Sequence, residues 1–357
     1  HTKDMIMQPD HLILIGDFAP LTLSMLADIN HAAGLSKTLH IIIQTPNHAP
    51  LPCGRTPTLA DAVRWVQMAC QSFGFIKIHT FGSLALPDMS FDYRNNTQLT
   101  KHQFLAICQA LNITAHTTML GIKSSHKDTL HPFELTLPKY GHASNYDDEL
   151  VQNNPLAYFH QLSAVCRYFY TQTVCIVGGE SSGKTTLVQK LANYYGASIA
   201  PEMGRLYTHS HLGGSELALQ YSDYASIAIN HANAIETART TASSAVTLID
   251  TDFATTQAFC EIYEGRTHPL VAEFAKQMRL DFTIYLDNNV AWVADGMRRL
   301  GDDHQRSLFA NKLLEILARY DIGHHIINDT DYHKRYLQAL SLIDNHIFNH
   351  FTKIHDN

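Results

Sequence analysis

An apolar run, Thr173–Gly178 (TVCIVG), passes directly into GGESSGKTTL, and no other part of the 357-residue chain constrains the fold as strongly. The segment matches G-x-x-x-x-G-K-[ST], with Gly178, Gly183, Lys184 and Thr185 at the fixed positions. The pattern has a physical reason. Glycines let the backbone curl until successive N–H groups point inward, and the positive end of the following helix dipole adds attraction for a phosphate. The lysine reaches the β- and γ-phosphates, and the threonine hydroxyl completes a magnesium shell. Gly178, Gly179, Glu180, Ser181, Ser182, Gly183, Lys184, Thr185 and Thr186 are therefore expected to cradle ATP, with Mg2+ as the accompanying ion. A loop of this kind needs a strand before it and a helix after it, and helical periodicity does run from Lys184 to about Tyr195.

Apolar strand patterns recur at Ala197–Ala200, Ala245–Asp250, Asp281–Asp287 and His324–Asp329, with helical stretches at about Ser215–Ala242 and Asp331–Phe351. The first part of the chain alternates in the same way. Strands are read at His11–Gly16, Leu39–Thr45 and Phe75–Phe81, and helices at Pro20–Ala33 and Asp61–Gln71. Alternation of this kind builds parallel, helix-covered sheets. The length suits two cores rather than one. The expectation is an α/β protein of two domains, residues 1–160 and 171–357, with loops over the polar stretch Ser124–Asn154.

Composition removes several function classes. No window approaches eighteen apolar residues, so no membrane partner is expected. The opening HTKDMIMQPD lacks the basic-then-apolar plan of a secretory signal, which points to the cytoplasm. A net charge of −7, without a run of five basic residues, speaks against a nucleic-acid partner. The six cysteines form no CxxC pair and the 23 histidines are scattered, so neither a disulfide framework nor zinc is expected. Self-association as a homo-oligomer is left open.

Candidate chemistry clusters at the C-terminal ends of the later strands. Asp250, after AVTLI, reads as the second magnesium anchor or as a helix N-cap. Asp252, two residues on, reads either as a catalytic carboxylate near the acceptor or as a cap. Glu202 in APEMGR can orient or deprotonate an acceptor hydroxyl, and Arg205 shares its helix face; a surface ion pair explains the two equally well. Arg298, Arg299 and Arg306 in ADGMRRLGDDHQR can close over a transferring phosphoryl group, or form a solvated turn. No NKxD-like sequence follows DFTIYLD, which disfavours guanine nucleotides. These parts fit a kinase and an ATPase alike.

GGESSGKTTLVQKLA, LQYSDYASIA, IDTDFATTQAFC, YEGRTHP and ADGMRRLG together resemble the ribosylnicotinamide kinase domain of the NadR-type bifunctional bacterial proteins, through nearly all of residues 172–350. The resemblance implies ATP-dependent phosphorylation of nicotinamide riboside to its mononucleotide, in NAD salvage. It makes Lys184, Glu202, Asp252, Arg298 and Arg306 the catalytic candidates. Thr185 and Asp250 become metal ligands, and Glu202, Arg205, Asp223, Tyr224 and Gln257 the riboside pocket, with hydrogen bonding within the core the other reading of Asp223, Tyr224 and Gln257.

The first domain then resembles the family's Rossmann-like nicotinamide-nucleotide adenylyltransferase. Gly16, Phe18 and Pro20 keep its G-x-F-x-P loop, but Thr22, Ser24 and Met25 stand where the pattern has His, Gly and His. Those histidines steady the ATP triphosphate, and a methionine offers no cation or donor. Near residue 150, Gln152 replaces an arginine, and Asp147, Asp148 and Glu149 stand where the pattern binds phosphate through Ser and Thr. The expectation is an inactive adenylyltransferase domain. The alternatives are a domain that senses NAD or a mononucleotide without turnover, and a kinase for another nucleoside. The helix-turn-helix of repressor members is not expected ahead of the first strand, which starts by His11.

Overall fold

The structure, a computed structural model, describes residues 8–89, 91–94, 99–123, 132–137, 147–290 and 303–355. The chain divides into two compact units, His1–Pro50 with Gly54–Cys166, and Leu51–Cys53 with Arg167–Asn357.

In the first unit the elements run β1 (His11–Gly16), α1 (Leu23–Leu35), β2 (Thr38–Ile43), α2 (Leu59–Cys70), β3 (Ile76–Thr80), α3 (Lys101–Ala110), β4 (Thr118–Ile122), β5 (Glu134–Thr136) and α4 (Asp148–Asn153). The helix α5 (Ala164–Tyr170) carries the chain into the second unit. The strands form one parallel sheet in the order β3-β2-β1-β4-β5. The central strand has Leu12, Ile13, Leu14 and Ile15 at 0% exposure, which is why it reads as an unbroken apolar run rather than an alternation. Helix α2 starts on a reciprocal cap between Thr58 and Asp61, which supplies partners for backbone donors that the first helical turn leaves open.

The second unit runs β6 (Gln172–Gly178), α6 (Lys184–Tyr195), β7 (Ser198–Ala200), α7 (Met203–His211), α8 (Asp223–Thr240), β8 (Val246–Asp250), α9 (Phe253–Glu264), α10 (Pro269–Gln277), β9 (Phe282–Leu286), α11 (Asp303–Arg319), β10 (His325–Ile327), α12 (Tyr332–Ile343) and α13 (His350–His355). Its sheet is also parallel, in the order β10-β9-β6-β8-β7. The central β6 is buried at every residue and sits between β9 and β8. The loop leaving it therefore emerges at the switch point where a doubly wound sheet opens to ligands. Phe253, Phe309, Leu313 and Tyr285 fill the core beside the sheet, and the rings of Phe259 and Phe309 lie 4.3 Å apart.

Local departures from the expected elements have local causes. Helix α1 begins at Leu23 rather than Pro20 because Thr22 caps it, its Oγ1 accepting from the Met25 N–H at 3.0 Å. The stretch expected to be helical from Ser215 is a short turn of 3-10 helix, Glu216–Ala218, before α8 begins at Asp223. Within the segment expected to be loop, β5 and α4 are formed; elements of three and six residues are too short to show a period. Among the described residues no helix is long and apolar enough to cross a membrane. All six cysteines are free thiols.

Candidate active site

The phosphate loop is held by its shape. Gly178 has φ 150 and Gly183 φ 88, conformations costly for any side chain. A Cβ on Gly178 would collide with the Leu286 carbonyl, and one on Gly183 would stand 2.7 Å from Cε1 of Tyr332. Lys184 is buried, and its Nζ folds back to donate to the Gly179 carbonyl at 2.8 Å. Thr185 Oγ1 donates to Asp250 Oδ2 at 2.7 Å, across from β8. The other carboxylate oxygen, Asp250 Oδ1, is buried and accepts no hydrogen bond. A hydroxyl and an orphaned carboxylate oxygen at one point make an oxygen donor set that fits Mg2+. Burial and the Glu202 charge push the Asp250 carboxyl up, while Thr185, Lys184 and Arg205 pull it down.

Beside Lys184 a cavity runs into the unit. Its narrow part, about 380 Å³ with its opening, is lined by Glu180, Lys184, Glu202, Arg205, Thr208, Glu216 and Phe259. The wider part, about 510 Å³ counted the same way, shares five of those residues and adds Tyr224, His231, Thr255 and Tyr263 among others. Glu202 sits at the start of α7 and Arg205 one turn on, with Nη2 3.6 Å from the Glu202 carboxylate. Burial lowers the pKa of His231, and its Nε2 donates to the Thr251 carbonyl at 3.2 Å. Thr251 itself has φ 69, so the turn carrying Asp250 is fixed from the side. Tyr263 donates to Glu216 at 3.1 Å, and burial together with the Glu216 and Glu180 charges raises its phenol well above the ordinary value.

The structure brings Lys184, Glu202, Arg205 and Tyr224 to one cavity, pairs Thr185 with Asp250 next to Lys184, and leaves four other expected residues off the cavity. Asp252 is the cap of α9: its Oδ1 accepts from the Thr255 N–H and Oγ1, both at 2.8 Å, and it does not line this cavity. Burial raises its pKa. Asp223 accepts from the Tyr207 hydroxyl and the Gln220 N–H, both at 2.9 Å, which ties α7 to the start of α8. Gln257 is fully buried on the core side of α9 and donates to Glu261 at 3.2 Å. Arg306 is no solvent-facing lid residue. It is 4% exposed and donates to Asn288 Oδ1 at 2.8 Å and to the Val290 carbonyl at 3.2 Å, fastening the loop after β9. Arg298, with Arg299, lies outside the described residues.

Sequence reasoning missed two groups. One is the lining itself, including Glu216, Phe259, Tyr263 and His231. The other is Arg335, 1% exposed, which donates from α12 to the carbonyls of Ser182 (2.9 Å), Asp287 (2.8 Å) and Asp329 and to Oδ1 of Asn289. Its one signal in sequence is position: Arg335, Ala339 and Ile343 are the buried face of α12 at four-residue spacing.

In the first unit, the turn from β1 to α1 is occupied by the protein's own charges. Thr22 Oγ1 donates to Asp148 at 2.6 Å, and Lys123 Nζ lies 3.2 Å from Asp148 and 3.0 Å from Asp28 while also donating to Ser24. Asp17 meets His48 at 2.8 Å, Arg94 at 3.3 Å and Gln152 at 2.8 Å. Burial opposes ionisation of Asp17, but His48 and Arg94 outweigh it and hold the carboxyl low. Burial and the neighbouring Asp148 push Asp28 up against the pull of Lys123. Met25 is fully buried.

Three likenesses accompany this geometry. An AAA domain family model matches residues 173–335. The trifunctional NAD biosynthesis/regulator proteins NadR of Salmonella typhimurium and Escherichia coli are each 34% identical over 346 residues, 93% of this chain and 82% of theirs. Crystal structures of a NadR protein, one in complex with NR and one with NAD and AMP-PNP, superpose at TM-scores of 0.68 and 0.67. Both are 18% identical and cover 95% of this chain and 96% of their own.

Proposed function

This chain belongs to the NadR family, and from that premise we propose that its second unit transfers the γ-phosphoryl group of ATP to the 5′-hydroxyl of nicotinamide riboside. The observation that carries the reading is a cavity running from Lys184 into a pocket that is both acidic and aromatic. Nicotinamide riboside carries a permanently cationic ring. Glu216 and the faces of Phe259 and Tyr263 suit a cation, which a neutral base would not exploit.

The loop amides and Lys184 take the β- and γ-phosphates, so little reorganisation is needed as charge builds in transfer. Thr185 and Asp250 would hold Mg2+, which when bound would offset the negative charge of the β- and γ-phosphates. Glu202, beside Arg205 at the neck of the cavity, orients the acceptor hydroxyl and takes its proton. The assay is riboside-dependent ATP consumption across nicotinamide riboside and ordinary nucleosides, run beside Lys184→Ala. Activity confined to the riboside and abolished by the substitution is expected. Activity indifferent to Lys184, or none with the riboside, sinks the reading.

The first unit is proposed to have lost adenylyl transfer, because a triphosphate there would face Asp17, Asp148 and Asp28, with Lys123 already bound between the last two. Formation of NAD from the mononucleotide and ATP would overturn this. A cytoplasmic location suits both units.

A further inference from the structure

Glu216 is fixed from two sides. It opens the short 3-10 turn before α8, where Ser215 Oγ accepts from the Leu217 N–H at 3.3 Å, and its half-buried side chain accepts from the Tyr263 hydroxyl of α9 at 3.1 Å. It lines both the narrow and the wide part of the cavity. Glu202 and Arg205 do so too, but those two face each other across 3.6 Å and offset one another in charge. A phenol acts differently on a carboxylate: it holds the oxygen by a hydrogen bond without cancelling the charge. Burial, with the Glu216 and Glu180 charges, raises the Tyr263 pKa and keeps the phenol a donor. Phe259 stands one turn before Tyr263 on α9, their ring centroids 5.7 Å apart, and Phe309 backs it at 4.3 Å. A base entering here meets aromatic rings beside a carboxylate that is held in place.

That arrangement suits one discrimination in particular. Nicotinamide riboside and the riboside of the corresponding acid share the ring, the sugar and nearly the same outline, so apolar contacts separate them poorly. They differ in charge. The amide is a cation, whereas the acid carries an added carboxylate on the same ring and is a zwitterion. A held carboxylate attracts the ring in both and repels the added anion in one, and partial burial strengthens both effects. Resting on the kinase reading given above, we propose that Glu216, positioned by Tyr263, selects the amide riboside over the acid riboside. Glu216 acts on the substrate directly, and Tyr263 acts on this choice through it.

The test compares kcat/KM of the full chain for the two ribosides, read as riboside-dependent ATP consumption with saturating ATP and Mg2+. The unmodified chain should favour the amide at least about tenfold, the scale set by one unit charge near a partly buried anion. Glu216→Gln keeps the outline and an acceptor for Tyr263 but removes the charge. Its use of the amide should fall relative to the acid, and the preference should shrink at least about fivefold. Tyr263→Phe leaves the charge and frees it, so the preference should shrink by a smaller factor. Far-UV circular dichroism confirms that both variants fold. A smaller change than this in Glu216→Gln overturns the proposal, and turnover of both ribosides lowered together is the mark of a merely structural role. Equal use of the two ribosides by the unmodified chain, or preference for the acid, also overturns it, a result that needs no variant to fold. Use of neither riboside by the unmodified chain overturns the kinase reading itself.

Discussion

Replacing Arg335 by methionine removes a buried cation that ties the phosphate loop to the loops after β9 and β10. The guanidinium is 1% exposed and donates to Ser182 O, Asp287 O, Asp329 O and Asn289 Oδ1. Hydrogen bonds to a charged group contribute about 1.5–3 kcal/mol each, so four would sum to roughly 6–12 kcal/mol if they acted independently. They do not. Burial of the cation is itself costly, as the lowered Arg335 pKa reflects, and methionine restores most of the packing volume. The expected net loss is about 3–5 kcal/mol, the range for breaking a buried charged contact. It should fall on the second unit alone. Native-state hydrogen exchange read at the amides of residues 179–187 measures it directly, as a fall in opening free energy of that size. AMP-PNP affinity should drop at least tenfold, about 1.4 kcal/mol, since the Ser182 carbonyl loses its anchor. Arg335→Lys should recover only part, because one ammonium cannot span three loops. Loop amides that exchange as in the unmodified chain, with AMP-PNP affinity within twofold, would refute the reasoning.

Gly183→Ala should cost about 1–3 kcal/mol from the left-handed backbone plus the clash with Tyr332, and Tyr332→Ala should restore part of the lost AMP-PNP affinity in calorimetry. Lys123→Met strands Asp28 and Asp148, whose side chains are 4% and 7% exposed. The first unit should lose about 3–5 kcal/mol by hydrogen exchange, and Asp28→Asn added to it should return a substantial share. His40 links His11 and His79 through ring nitrogens at 3.1 and 3.2 Å, and burial, then its two histidine neighbours, lowers its pKa to about 4. The folded state thus binds fewer protons than the unfolded one between about pH 4 and 6.5. The stability is fully present above that window and lost as pH falls through it. After allowance for screening the effect is about 1–2 kcal/mol. Urea midpoints of the first unit should fall accordingly on acidification in the unmodified chain and hardly at all in His40→Leu.

The sequence by itself determined whatever depends on neighbours along the chain. The phosphate loop is legible because its function lies in consecutive backbone amides, fixed by Gly178 and Gly183 and by the strand and helix on either side. The strands at His11–Gly16, Gln172–Gly178 and Val246–Asp250 are legible because burial on both faces leaves an unbroken apolar run. The departures from the resembled loop pattern at Thr22 and Met25 and the acids near residue 150 are equally local, yet only the fold showed Asp148 joined to Thr22 across 126 residues. Side-chain direction was decided by tertiary structure. Asp250 and Asp252 are near twins in sequence, but the turn at Thr251 sends one to Thr185 and the other to the cap of α9. Arg306 and Arg335 are both arginines beside helix starts, and packing against carbonyls from distant loops makes each a brace. The cavity lining draws on α7, α8, α9 and the turn at Glu216 together, and no spacing along the chain encodes a surface that exists only once the sheet has brought them side by side.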